Sequence, residues 1–191
     1  LLHPLHPMLL SGTRNGTIGV WSWPQGEPIG LLKAHDTLTS FAISPDGKLM
    51  ATVGEPGEVK LWLLANGKLL KVLRSGLPAV FGVAFSQDSQ VLAAAMADGT
   101  IHLFQAHLEE RPILKGHTGA VNSLAFSPDA TLLCSSGQDG LINIWNTKTM
   151  ALIGQLLGHK QSVGHVQFSQ DSKLLLRGSN DYTARIWEIE A

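Results

Sequence analysis

Three side chains in the second half of the chain could together catalyse hydrolysis. His117, Ser135 and Asp139 supply the imidazole, the hydroxyl and the carboxylate of a serine-hydrolase triad. In α/β-hydrolases the serine stands in a Gly-x-Ser-x-Gly turn, and the residues around Ser135 do not form one. Whether these residues indicate catalysis or structure depends on whether related sets recur along the chain, because an active site would occur once.

The other reactive side chains give weaker signals. Cys134 is the single cysteine, so neither an internal disulfide nor a cysteine metal cage can form, and its neighbours Leu132 and Leu133 predict a small buried hydrophobe. The eight histidines lack the His-x-x-x-His spacing of a helical metal site, and we expect His102 and His107 to be exposed. We therefore predict no metal, no cofactor and no catalytic residue.

Charge and composition exclude further classes. The 191 residues carry 14 Lys and Arg against 15 Asp and Glu, without a basic run, so we expect no nucleic-acid partner. The longest apolar stretch is residues 91–97, too short to cross a membrane, so we expect no membrane insertion. The first four residues, Leu1–Pro4, do not form a signal peptide, so we expect a cytoplasmic, intracellular protein.

A repeat of 41 to 42 residues runs through the chain. Its most visible member is an aromatic residue that occurs five times, at Trp21, Trp62, Phe104, Trp145 and Trp187. Eighteen residues before each of the last four begins a Ser-Pro-Asp or Ser-Gln-Asp turn, at Ser44, Ser86, Ser127 and Ser169. Gly-His pairs also recur, at 116–117 and 158–159. A fixed period of this length indicates a repeat architecture.

Each repeat has the pattern of four short strands. In residues 119–156, apolar runs at 121–126, 131–135, 141–145 and 151–156 are separated by turn residues. No run keeps the period of 3.6 residues that a helix requires. Applied to the whole chain, this pattern gives 18 strands, with three in the first repeat and three in the last. We therefore predict an all-β protein built from antiparallel four-stranded sheets.

These residues resemble the WD-repeat β-propeller family. The marks of that family are a Gly-His, an Asp in the turn before the third strand and a Trp-Asp that ends the third strand, which reads Trp145-Asn146 and Trp187-Glu188 here. The resemblance implies an incomplete ring of about four and a half to five antiparallel blades in one domain of residues 1–191. We expect blades at residues 1–34 (partial), 35–75, 76–116, 117–158 and 159–191 (partial).

The resemblance also assigns a role to the residues that could have been catalytic. In the family, a His, a Ser or Thr, the turn Asp and the Trp form a hydrogen-bonded tetrad in each blade. The fourth blade matches at His117, Ser135, Asp139 and Trp145. The fifth matches at His159, Asp181 and Trp187, with Arg177 in the serine position. Because related sets recur, the resemblance implies that the tetrad is structural.

The first three blades have incomplete sets. The second blade has His35 and Thr52 but Pro56 at the aspartate position, and the third has Asp98 but Ala94 at the serine position. The first blade has Ser11, Asn15 and Trp21. We expect packing between neighbouring sheets to replace the missing hydrogen bonds.

Function should lie in the residues that vary between the repeats. The resemblance implies that partners dock on the face that carries the start of the first strand and the turn before the third. The matching turn residues are Arg14, Glu55, Ala97, Gln138 and Asn180, and the matching first-strand residues are Thr39, Phe81, Asn122 and Gly164. This mixture of charges, amides and one aromatic residue predicts a protein or peptide partner, with Phe81 as an apolar anchor.

We therefore expect a non-catalytic scaffold for protein–protein interaction and no enzyme activity. The alternative is a sensor or oligomerisation module of a larger signalling or regulatory enzyme whose catalytic domain lies outside this chain. The two partial blades cannot merge, because both supply the second and third strands. We therefore expect a segment of a longer propeller of about seven blades, with completion by another subunit as the second possibility.

Overall fold

The computed structural model describes residues 1–55, 57–74, 79–105, 113–158 and 161–189. The regular secondary structure of these residues consists of β-strands alone, which confirms the all-β prediction. The strands form five sheets, called the first to fifth blades here, and neighbouring strands in each sheet are antiparallel and consecutive in the chain. Each blade is therefore an up-and-down meander whose earliest strand is an edge of the sheet.

The 18 strands are distributed as predicted, with bounds that differ by one or two residues. The first blade contains β1 (Met8–Gly12), β2 (Thr17–Ser22) and β3 (Pro28–Lys33). The second contains β4 (Thr37–Ile43), β5 (Leu49–Glu55), β6 (Glu58–Leu63) and β7 (Lys68–Arg74). The third contains β8 (Val80–Phe85), β9 (Val91–Met96), β10 (Thr100–Gln105) and β11 (Leu114–Lys115). The fourth contains β12 (Val121–Phe126), β13 (Leu132–Gly137), β14 (Ile142–Asn146) and β15 (Leu152–Leu156). The fifth contains β16 (Val163–Phe168), β17 (Leu174–Ser179) and β18 (Ala184–Glu188).

The chain before β1 lies where the innermost strand of the first blade would end. An isolated antiparallel bridge joins Leu2 to Leu9, the position at which Phe168 pairs with Leu175 in the fifth blade. The main chain of Leu10 also bonds to that of Leu1 at 2.8 Å. Residues 1–2 therefore occupy the place that the repeat predicts for the tail of an inner strand.

The hydrophobic core lies between the blades, because each interior sheet is covered on both faces. Between the fourth and fifth blades, Cys134 and Ile144 pack with Val166, Phe168 and Leu175. Similar apolar clusters join the other neighbouring blades. Burial in this core raises the pKa of the Cys134 thiol well above its ordinary value, so the thiol stays protonated and unreactive.

Glycine lets the turns approach the next blade closely. Gly99, in the turn between β9 and β10, has a φ of +86°, and a Cβ built there would lie 2.8 Å from the carbonyl oxygen of His117. Gly16 holds the equivalent place against His35, with a φ of +85°. Both the left-handed backbone and the contact with the next blade therefore favour glycine here.

The two outermost blade faces leave apolar side chains uncovered within the described residues. Leu174, Leu176 and Ile186 in the fifth blade are 40%, 48% and 65% exposed, at positions where the fourth blade has buried or half-buried side chains that pack on the fifth. In the first blade, Leu32 packs on the second blade, whereas Leu31 points to the other side and is 80% exposed. These surfaces have the composition of an interface between blades.

Candidate functional site

The four tetrad residues of the fourth blade form one chain of hydrogen bonds. His117 Nδ1 lies 3.1 and 3.0 Å from the two carboxylate oxygens of Asp139, and His117 Nε2 lies 2.8 Å from Ser135 Oγ. Trp145 Nε1 donates to the same Ser135 Oγ at 2.9 Å. Asp139 also accepts main-chain N–H groups of Thr118 and Leu141, so its carboxylate joins the entry loop of the blade to the turn between β13 and β14.

This geometry is that of a hydrolase triad, yet its surroundings prevent triad catalysis. Serine, histidine and aspartate are hydrogen-bonded in the catalytic order. However, Ser135 has no exposed surface, and the His117 side chain has none either. The serine oxygen also accepts the indole N–H of Trp145. A substrate carbonyl cannot reach Ser135 Oγ in this arrangement, and the hydrogen bonds of the set connect the entry loop, β13 and β14 of the fourth blade.

The second blade keeps a shorter version of this network. His35 Nε2 and Trp62 Nε1 each lie 2.8 Å from Thr52 Oγ1, but no described residue bonds to the buried His35 Nδ1. Pro56, which takes the aspartate position, lies outside the described residues. Burial is the main reason that the pKa of His35 falls below its ordinary value, and the nearby Lys60 lowers this pKa further. In the first blade only the bond from Trp21 Nε1 to Ser11 Oγ remains, at 2.8 Å.

An arginine replaces the central serine of the fifth blade. Arg177 is buried, its guanidinium lies 5.1 Å from the centre of the Trp187 ring, and its Nη2 donates to the carbonyl of Gly140 in the fourth blade at 2.9 Å. Burial, followed by the charge of Arg185, lowers the pKa of Arg177 to about 10. The Asp181 side chain accepts hydrogen bonds from Thr183, and His159 lies outside the described residues. The arginine thus joins two blades instead of closing a tetrad.

The third blade contains one exception to the sequence predictions. His102, which we expected to be exposed, is buried. The expectation was wrong because a strand of an interior blade is covered on both faces by its neighbours. Asp98 accepts the main-chain N–H and the hydroxyl of Thr100, whereas Ala94 and Phe104 of this blade pack in the core. His107 lies outside the described residues.

The predicted turn residues form an exposed row, called the rim surface here: Arg14, Glu55, Ala97, Gln138 and Asn180. All except the half-buried Ala97 are exposed. Their main chain is nevertheless held in place, since the N–H groups of Ala97, Gln138 and Asn180 donate to carbonyls just before the innermost strands. Within the described residues, Arg14 and Glu55 make no ion pair, so both charges are available to a partner.

The predicted first-strand residues share a structural feature that the sequence did not reveal. The four residues Thr39, Phe81, Asn122 and Gly164 stand at register shifts of the four innermost strands, each as an extra residue in a β-bulge. Bulges redirect side chains and are frequent next to functional sites. The bulge therefore sets the direction of the Thr39, Phe81 and Asn122 side chains.

The residues at the four bulges have different roles. Thr39 Oγ1 donates to the carbonyl of Val80 in the third blade at 2.7 Å, and Asn122 Nδ2 donates to the carbonyl of Val163 in the fifth at 2.8 Å. These two candidate partner residues are thus engaged between blades. Phe81 cannot donate such a bond, and Gly164 has no side chain.

Phe81 instead lines a cavity on the axis of the molecule. The cavity has a volume of about 460 Å³ and is bounded by β4, β8, β12 and β16, with Phe41, Phe85 and Leu124 among its apolar walls. Ser40, Ser123 and His165 add polar groups. The sequence analysis missed these three residues, although each directly follows a bulge residue in the repeat. A neighbouring cavity of about 720 Å³ includes Arg14 and Thr39 and shares the wall formed by Ser40 and Phe41.

The described residues contain no group of three or more side chains that could hold a metal ion. Within these same residues, no helix has the length and apolar character that a membrane crossing needs. Among the candidate positions, the structure brings Phe81, Asn122 and Gly164 to one cavity and Arg14 and Thr39 to its neighbour, and Glu55, Gln138 and Asn180 lie on turns of the rim surface.

Comparison with known proteins gives partial relatives. A segment of 104 residues, 52% of this chain, matches Autophagy-related protein 18 from Komagataella pastoris with 32% identity. The matched segment makes up 19% of that protein. A segment of 97 residues, 50% of the chain, matches the Small ribosomal subunit protein RACK1y from Oryza sativa subsp. japonica with 32% identity and makes up 29% of that protein. A shorter segment, 43% of the chain, matches the Periodic tryptophan protein 2 homolog from Caenorhabditis elegans with 31% identity and makes up 9% of that protein. The matched segments span less than a third of the length of these relatives.

The family comparison covers much more of the chain. The family model described as WD domain, G-beta repeat matches four times, at residues 26–62, 67–105, 109–146 and 150–188. These matches cover more than half of the chain. They recur with the period of the tryptophans and of the meander sheets, and the fourth blade contains the Asp139-centred tetrad. The predicted resemblance is therefore confirmed, and this chain belongs to the WD40 family of β-propeller repeats.

Proposed function

We propose that this chain is a non-catalytic scaffold that binds a protein or peptide partner on its rim surface and in the adjoining axial cavity. The observation that carries the proposal is the contrast between Phe81 and the equivalent residues Thr39 and Asn122. The Thr39 and Asn122 side chains bond to the next blade, whereas Phe81 carries no group that can make such a bond and lines a cavity of about 460 Å³, which Asn122 also borders. An aromatic anchor surrounded by exposed polar and charged residues is the usual composition of a protein-binding surface.

Several observations support a role in binding without catalysis. The one Ser-His-Asp arrangement is buried, and Cys134 is a buried, protonated thiol. The rim carries one cation and one anion, which suits a polypeptide better than a phosphate ligand. We place the scaffold in the cytoplasm as part of the same proposal, because its single cysteine is free and the fold uses no disulfide.

Capture of a partner from a lysate of the cognate cells tests the proposal. We expect Phe81→Ala and Arg14→Glu each to reduce the captured protein while the melting temperature stays unchanged. Asp171→Ala, in an exposed turn away from the rim surface, is the matched control and should capture normally. If both rim variants capture as well as the unmodified chain, the binding surface is not where we place it.

We further propose that additional WD-type blades cover the exposed faces of the first and fifth blades, from a longer chain or from another subunit. The support is that Leu176 and Ile186 repeat the positions of Cys134 and Ile144, which contact the next blade. Light scattering of the 191-residue chain tests this: we expect concentration-dependent association, and a cooperatively melting monomer would contradict it. In a longer chain, the scaffold could equally serve as the sensor module of a regulatory enzyme.

A further inference from the structure

The turn that leads into β1 has a histidine where the other four blades have a serine. His3 lies 18 residues before Trp21, and the same offset gives the first serine of each Ser-Pro-Asp or Ser-Gln-Asp turn. The main chain closes these turns in the same way, because His3 N–H donates to Met8 O at 2.9 Å as Ser44 N–H does to Leu49 O. The first blade therefore keeps the turn but places an imidazole in it.

The hydrogen bonds of His3 fix the protonation state of its ring. His3 Nδ1 accepts the main-chain N–H groups of Leu5 and His6 at 3.0 Å each, and His3 Nε2 lies 3.2 Å from the carbonyl oxygen of Gly47. A carbonyl oxygen only accepts, so Nε2 must carry a hydrogen, and a main-chain N–H only donates, so Nδ1 must carry none. A protonated ring would point a third N–H at the two donors.

The bond to Gly47 joins the first blade to the second. Between the second and third blades the equivalent connection runs from Asp46 N–H to Ser89 Oγ, and the fourth and fifth blades have the same serine connection. A serine hydroxyl does not change its charge between pH 5 and 8, whereas an imidazole does. Among these three connections, only the one made by His3 therefore depends on pH in that range.

The surroundings of His3 favour the neutral ring. His3 is buried, and the centre of the His6 ring lies 4.8 Å from that of His3. Burial is the main reason that the pKa of His3 lies below its ordinary value, and His6 lowers it further against the opposing effect of the Gly47 carbonyl. In the facing turn, Asp46 and Lys48 form an ion pair with each other at 3.5 Å. In the described part of the chain, His3 bonds to no carboxylate that would stabilise an imidazolium.

The segment that His3 holds covers an edge of the first blade. Residues 1–7 accept the N–H of Leu10 at Leu1 O, at 2.8 Å, and the N–H of Trp23 at Pro7 O, at 2.7 Å. The first of these bonds lies on the inner edge of β1. Without residues 1–7, that edge would present unpaired main-chain groups.

We propose that His3 is a pH-dependent switch: its neutral ring holds residues 1–7 on the first blade and connects them to Gly47, and its protonation releases this segment and uncovers the inner edge of β1. The released ring binds a proton more readily than the docked ring, so acid favours release. With 6.5 as the pKa of the released ring, a fall from pH 7.5 to 5.5 raises the equilibrium constant for release by up to about tenfold.

Amide hydrogen exchange of the 191-residue chain, corrected for the intrinsic rate at each pH, measures the release. The amides of Leu10 and Trp23 donate to the segment, so we expect their protection to fall severalfold, by up to about tenfold, between pH 7.5 and 5.5. The amides of Ser127 and Leu132 close the equivalent turn of the fourth blade with a serine and are the control. Their protection should change by less than about twofold. An equal loss at both turns, or no loss at Leu10 and Trp23, would overturn the proposal.

Two variants assign the response to His3. His3→Asn places an amide oxygen near the position of Nδ1, so it should hold the segment but lose the pH response. His6→Gln is the matched control and should keep the response. A response that survives in His3→Asn, or disappears in His6→Gln, would assign the switch to another group and contradict the proposal.

The tautomer of His3 gives a test that needs no variant. The ¹⁵N chemical shifts of the imidazole at pH 7.5 should show a protonated Nε2 and an unprotonated Nδ1, as the contacts with Gly47, Leu5 and His6 require. The opposite tautomer, or a charged ring at pH 7.5, would overturn the proposal even if His3→Asn fails to hold the segment.

Discussion

The hydroxyl of Thr39 donates a 2.7 Å hydrogen bond to the carbonyl oxygen of Val80 and so joins the innermost strands of the second and third blades. The same two blades are joined at the other end of these strands, where Asp46 N–H donates to Ser89 Oγ at 3.1 Å. The fourth and fifth blades repeat both bonds, from Asn122 to Val163 and from Asp129 to Ser172. At the equivalent places between the third and fourth blades stand Phe81 and Ala130, which carry no hydroxyl or amide. Neither of these two hydrogen bonds therefore forms there.

Ala130→Ser should restore one of these bonds and stabilise the protein. Ala130 has a φ of +62°, and Ser89 and Ser172 adopt +60° and +62° at the equivalent positions, so a serine hydroxyl there would face the main chain of Asp88. We expect the unfolding free energy to rise by about 0.5–1.5 kcal/mol, the usual net value of one hydrogen bond. Urea unfolding measures the change.

Ala130→Gly is the control for this variant, because it relieves the positive φ without adding a hydroxyl. Glycine occurs naturally at the equivalent position 47, where φ is +70°. A serine variant no more stable than the glycine variant would show that the hydroxyl forms no bond with the third blade.

Asp139→Ala should destabilise the fourth blade. The substitution removes the acceptor for His117 Nδ1 and for the N–H groups of Thr118 and Leu141. Leaving the buried His117 imidazole without its acceptor costs about 1–3 kcal/mol. Asp171→Ala, which loses only local bonds to Ser169 and Lys173 on the surface, should shift the urea midpoint less. Equal shifts of the midpoint would contradict a central role for Asp139.

Stability should fall as the pH drops from about 7.5 to 5.5. Burial holds the pKa of His35 below the 6.5 of an ordinary histidine. The unfolded chain therefore binds the proton first, and the free energy of unfolding decreases as the pH falls through 6.5. The pKa of His3 is lowered too, mainly by burial, and its Nδ1 accepts the N–H groups of Leu5 and His6. Urea unfolding at several pH values measures the slope.

The variant His35→Gln identifies the group responsible for this slope. It should unfold at a lower urea concentration than the unmodified chain at pH 7.5, yet lose less additional stability between pH 7.5 and 5.5. The aspartates with lowered pKa, such as Asp46 and Asp129, affect only the range below about pH 5, where the unfolded chain begins to bind their protons. An unchanged slope in the glutamine variant would exclude His35 as a source of the pH dependence.

Gly99→Ala should destabilise the contact between the third and fourth blades. Its φ of +86° is unfavourable for alanine, and the new Cβ would lie 2.8 Å from the carbonyl oxygen of His117. We expect a loss of about 2–3 kcal/mol. Gly178→Ala is the matched control, since nothing lies within 4 Å of a Cβ there. Thermal unfolding of both variants should show a clear decrease only for Gly99→Ala.

The sequence alone determined the architecture of this protein. Strand number, meander topology and the places of the turns follow from local signals that recur every 41 to 42 residues, so an error in one copy is corrected by the others. Comparison of the repeats also singled out Phe81, because the equivalent positions carry polar or small residues. The resemblance to the WD-repeat family also grouped His117, Ser135, Asp139 and Trp145 as one tetrad.

Only the tertiary structure decided what each repeat position does. Thr39 and Asn122 resemble exposed binding residues in the sequence, but a bulge directs each of them to a carbonyl about 41 residues away in the next blade. Arg177 replaces a serine and reaches Gly140 in the neighbouring sheet, and His102 is buried because its blade has a neighbour on each side. These outcomes depend on packing between blades, and a repeat pattern records the position of a residue within its own blade but not which neighbouring atom its side chain meets.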